Sequence, residues 1–132
     1  MLRYMLDTNL CIRVLRDRPA GLRERFNGEA ASLCISTVTL AELMHGAEKS
    51  TRPAEIRYQV EAFAARLTVL PFDADAAAHY GEIRNDLERR GQVIGPYDLM
   101  IAGHARSRGL IVITGNLGEF NRVAGLRSED WL

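Results

Sequence analysis

Leu2-Arg3-Tyr4-Met5-Leu6-Asp7-Thr8-Asn9 opens the chain with an apolar run too short for a helix, closed by a carboxylate and two small polar residues. That pattern predicts a buried parallel strand delivering an acid to the edge of a sheet. In open α/β sheets the functional crevice lies outside the carboxyl ends of the strands, which is where Asp7 would project. Leu110-Ile111-Val112-Ile113-Thr114 repeats the pattern more strongly, with Gly115-Asn116 directly behind it. Asn116 is therefore expected at the same edge as Asp7.

Between these two strands the apolar periodicity alternates. Ser32 to Ser36 and Thr68-Val69-Leu70 read as further short strands, and a last one is expected around Leu126. A first helix runs through Ile12 and Leu15, capped by Thr8 or Asn9 and broken by Pro19 and Gly21, and Leu22 to Phe26 adds a helical turn. Thr37 to Lys49 carries Leu40, Leu43, Met44 and Ala47 on one stripe, with Thr39 and Glu42 at capping-box spacing. The next helix starts near Pro53 and shows Ile56, Val60, Phe63 and Leu67 on one face. Asp73 caps a long helix ended by Arg89-Arg90-Gly91, and a helix from Tyr97 to Gly109 places Asp98 on its inward stripe with Ile101, Ala102 and Ala105. Strands alternating with helices predict an α/β fold: a three-layer α/β/α sandwich around a mainly parallel sheet, built as one domain over residues 1–132.

Bulk properties narrow the function. No apolar run approaches the ~20 residues that span a bilayer, so a cytoplasmic protein with no membrane partner is expected. The net charge is +0, which leaves no overall field for nucleic acid; such a partner must meet a local patch. Lys49 is the only lysine against sixteen arginines, a balance suited to bidentate phosphate contacts and equally to a coding bias. Cys11 and Cys34 fall in core elements without metal-ligand spacing and read as reduced thiols.

Three acids stand at comparable places: Asp7 after the first strand, Glu42 on the helix after the second, and Asp98 at the start of the helix before the fourth. Each alone reads equally as a helix-start residue. Brought to one edge they would repel, and a hard divalent ion is the natural remedy, since magnesium and manganese take oxygen ligands. Thr8 and Thr114 either bond these acids or cap helices, and Asn116 either reaches the site or caps a short helix answered by Glu119. His45, His79 and His104 fall on three helices without ligand spacing. Arg84 reads as the partner of Glu88.

The motifs Leu6-Asp7-Thr8-Asn9, Ser36-Thr37-Val38-Thr39-Leu40-Ala41-Glu42-Leu43, Gly95-Pro96-Tyr97-Asp98-Leu99-Met100-Ile101-Ala102 and Thr114-Gly115-Asn116 together resemble the PIN domain family, and within it the VapC-type toxin ribonucleases of the enteric branch. The resemblance implies a Mg2+- or Mn2+-dependent endoribonuclease, the toxic half of a toxin-antitoxin pair, with a VapB-like antitoxin as partner and initiator tRNA, cut in the anticodon loop, as substrate. Asp7, Glu42 and Asp98 match the family's acidic metal ligands, and Asn116 stands where the family often has aspartate. A homodimer is also expected, from the apolar faces around Phe63 and Met44. Two rivals are weaker: a receiver domain lacks an acidic pair after the first strand, and a non-catalytic scaffold has no use for three converging charges.

Overall fold

The computed structural model describes residues 1–132. Five strands, β1 (Tyr4–Leu6), β2 (Leu33–Ser36), β3 (Thr68–Leu70), β4 (Ile111–Ile113) and β5 (Ser128–Glu129), form one sheet in the order β3-β2-β1-β4-β5. All four pairings are parallel. The helices are α1 (Thr8–Arg16), α2 (Leu22–Glu29), α3 (Thr37–Glu48), α4 (Pro53–Ala64), α5 (Ala74–Arg89), α6 (Pro96–Ser107) and the one-turn α7 (Leu117–Phe120).

The period of the strands explains the layering. Tyr4 and Leu6 of β1, Leu33 and Ile35 of β2, and Ile111 and Ile113 of β4 face a core closed by α1 to α4. Their alternates Met5, Cys34 and Val112 face a second core closed by α5, α6 and α7. Central strands buried on both faces leave no room for polar alternation, which is why they read as continuous apolar runs. Phe63 stacks on Phe26 at 5.0 Å inside the first core, and Met44 packs against it. Phe63 is thus a core residue, and Met44 is partly buried against the same core. On the other side α5 and α6 approach so closely that a Cβ at Gly103 would stand 2.8 Å from the Tyr80 nitrogen.

Element boundaries differ from the sequence expectation in three places. The last strand lies at Ser128–Glu129 instead of around Leu126, pairing there with Val112 and Ile113 of β4. The helical turn after Gly21 extends to Glu29. The sheet is wholly parallel. Cys11 and Cys34 are free and buried, as expected.

Candidate active site

The strand order fixes where a site can form. From β1 the chain steps outward through β2 and β3, then returns to place β4 on the other side of β1, so the order reverses between β1 and β4. Asp7 stands at that reversal. Its N–H still donates to the Ile113 carbonyl at 3.1 Å, and its extended backbone then turns the carboxyl over the start of α1. Oδ1 accepts from the Leu10 N–H at 2.8 Å and Oδ2 accepts from the Thr114 hydroxyl at 2.5 Å. The residue is 1% exposed.

Asp7 is therefore the cap of α1, in place of the expected Thr8 or Asn9. Thr8, freed from capping, donates its hydroxyl to Glu42 Oε1 at 2.5 Å. Glu42 is free to accept it because the expected Thr39 capping box does not form: Ser36 at the end of β2 caps α3, accepting from the Val38 N–H at 3.1 Å. Thr39 lies one turn inside the helix and is buried. Thr8 and Thr114, either of which could have been a cap, are thus the hydroxyls that hold Glu42 and Asp7.

Asp98 lies in the first turn of α6, half-buried, with the Glu119 carboxyl of α7 among the groups that raise its pKa. Asn116 donates its side-chain amide to Glu119 Oε2 at 2.7 Å and makes no side-chain cap on α7. Its backbone N–H donates to Thr114 Oγ1 at 2.8 Å, so the Thr114 hydroxyl links Asn116 to Asp7. Glu119 is the member that sequence reasoning missed. Its only signal was a position three residues after Asn116, where a capping partner is the simpler reading.

The acids act on one another. Burial raises the Asp7 carboxyl above the ordinary carboxylate range; the bonds from Thr114 and Leu10 oppose this, Glu42 adds to it, and Arg13 pulls it down. Asp98 is pushed up to about 7, first by burial, then by its bond to Glu119 and the negative charge of Asp7, Glu119 and Glu42. Asp7 and Glu42 thus both act on Asp98, with Glu119 as a further acid beside it.

Oxygen-only donors under mutual repulsion suit a hard divalent cation. No three of the chain's His, Cys, Asp or Glu side chains form a direct ligand set, however. Asp7 and Glu42 are instead each held by a threonine hydroxyl. Magnesium commonly keeps several waters and takes one or two carboxylates, so Asp7 and Asp98 with Glu42 fit an ion bound largely through water. No histidine joins the cluster: His79 accepts from Arg106 at 2.9 Å, His45 is exposed, and His104 is buried against Ser36.

A PIN domain model matches residues 4–126. Over 131 residues the chain is 56% identical to a tRNA(fMet)-specific endonuclease VapC of Shigella flexneri, covering 99% of both chains. A chain of the crystal structure of DNA-bound VapBC from Salmonella typhimurium superposes with a TM-score of 0.95 at 54% identity, covering 100% of both chains. A chain of VapBC2 from Rickettsia felis, bound to a promoter DNA fragment, gives 0.92 at 34% identity over 99% of this chain and 100% of that one.

Proposed function

The chain belongs to the PIN domain family, and on that premise we propose that it is the ribonuclease toxin of a VapBC-type pair, hydrolysing initiator tRNA with a divalent metal ion and silenced by a VapB-like antitoxin. The observation that carries this reading is the placement of Asp7 at the strand-order reversal, fixed by Thr114 from β4 and surrounded by Glu42, Asp98 and Glu119. Near full-length identity to a tRNA(fMet)-specific relative supports the substrate.

Each acid has a separable task. Asp7 is the fixed carboxylate, since both oxygens are bonded and the side chain cannot turn away. Glu42 is aimed by Thr8. Asp98, its pKa pushed up to about 7 by burial and by the acids around it, can hold or release a proton at its carboxyl oxygen. Phosphate approaching four carboxyl groups needs a counter-charge. Magnesium or manganese held by Asp7, Asp98 and Glu42 would supply Lewis-acid charge for an in-line phosphoryl displacement.

Purified protein incubated with initiator tRNA is expected to cut it in the anticodon loop when magnesium or manganese is present, and to stop in excess chelator. Undiminished cutting in chelator would remove the metal from the reading. Absence of cutting with every metal and tRNA tried would remove the enzyme.

A further inference from the structure

Two clefts flank the acid cluster, and both run along α1. One, of about 440 Å3, is lined by Asp7 and Asn116 together with Arg13, Arg16 and Arg18. The other, of about 340 Å3, is lined by Glu42, His45, Lys49 and Tyr97. Asn9 and Ile12 line both, so the clefts meet on the exposed face of α1.

Arg13, Arg16 and Arg18 are left without a bonded partner inside the chain. None makes a salt bridge or donates a side-chain hydrogen bond, although most other arginines of the helices do. All three are exposed. Arg13 and Arg16 complement the negative end of α1, which accounts for two of them. It does not account for Arg18, which lies beyond the helix, nor for a cleft shared with Asp7. In a chain of net charge +0, three free guanidiniums beside an acidic cluster form a local anion site. On the opposite flank Tyr97 is 54% exposed next to Asp98, one of few large apolar side chains left uncovered.

Resting on the ribonuclease reading above, we infer that single-stranded RNA crosses the acids along α1, with Arg13, Arg16 and Arg18 holding backbone phosphates on one flank and Tyr97 stacking an unpaired base on the other. Guanidinium forks match phosphate oxygens, and an exposed aromatic ring takes any base on its face. Together they would position one phosphodiester over Asp7 while the acids themselves repel the backbone.

Binding of a fluorescein-labelled anticodon stem-loop RNA, followed by anisotropy in chelator over a range of salt, tests this without turnover. Arg16→Gln and Arg18→Gln are each expected to weaken binding about threefold and to reduce the slope of log affinity against log salt by ~0.7. Tyr97→Ala is expected to weaken it about tenfold, with Tyr97→Phe restoring it. Arg89→Gln, outside both clefts, should change neither quantity. In the cleavage assay the same arginine variants should raise KM. If they keep the wild-type affinity and salt slope while wild type cleaves, the track is wrong and the ribonuclease reading stands. Variants that lose antitoxin affinity and keep RNA affinity would assign the cleft to the protein partner and overturn the inference. Wild type that neither binds nor cleaves RNA would remove both.

Discussion

Thr114 donates its hydroxyl to Asp7 Oδ2 at 2.5 Å across 107 positions of sequence, tying the ends of the two central strands into one site. That bond stabilises the ionised form of a carboxyl that burial pushes the other way. Thr114→Val keeps the shape and removes the donor. It is expected to cost ~1.5–3 kcal/mol, the range for hydrogen bonds to charged groups, and to raise the Asp7 pKa further. The acidic limb of the pH-rate profile should then move to higher pH, while a variant with the wild-type profile and denaturant midpoint would show the bond to be idle.

Asp98 is pushed up to about 7, by burial first and then by Glu119 and the other acids around it. A carboxyl with a raised folded pKa favours folding fully below its unfolded value and loses that contribution as pH rises through the folded one. The metal-free protein should therefore lose stability between about pH 4 and 7 through this group. Glu119→Gln removes one negative charge, so the Asp98 pKa should fall and the loss should shrink. Magnesium should likewise raise the thermal midpoint of wild type more at pH 8 than at pH 5. Equal midpoint shifts at the two pH values would contradict the coupling.

Asn116 bonds Glu119 instead of capping α7. Asn116→Ala should accordingly cost less than the ~1 kcal/mol of a lost cap and yet slow cleavage. Asn116→Asp sets a carboxylate against Glu119, so the metal-free fold should weaken while calorimetry shows tighter metal binding. A lowered denaturant midpoint with unchanged cleavage for Asn116→Ala would return the residue to a structural role.

His104 is wholly buried, its Nδ1 2.8 Å from Ser36 Oγ and its Nε2 without a partner. Burial lowers its pKa, Asp73 opposes that and Arg108 adds to it. A histidine with a depressed folded pKa supports folding above its unfolded value of ~6.5, and the support falls as pH drops toward the folded value. Because Asp98 pulls the other way, the difference between wild type and His104→Gln isolates the effect. From pH 7 to 5.5 wild type should lose stability relative to the variant; parallel curves would count against a buried neutral imidazole.

The central strands were legible because β1, β2 and β4 are apolar on both faces, and so were the helices, whose stripes at Leu43, Val60, Ile83 and Ala102 all reach a core. Asp7, Glu42 and Asp98 were legible from strand ends and the family-like motifs around them. Caps were not, because sequence spacing at Asp7-Thr8-Asn9 and at Ser36-Thr37-Val38-Thr39 permits several, and only the strand end decides which oxygen meets the helix. Glu119 was hidden for a different reason. Its partner Asp98 comes from another helix, and no local pattern records a contact made through α7.

The most direct measurement is single-turnover cleavage of initiator tRNA by wild type and Asp7→Asn in magnesium, with circular dichroism on the same samples. Asp7→Asn keeps an oxygen for the Leu10 N–H and so preserves the cap. Cutting by wild type alone, with matching spectra, is the expected result. Cutting by a folded Asp7→Asn at the wild-type rate would contradict an active site built on Asp7.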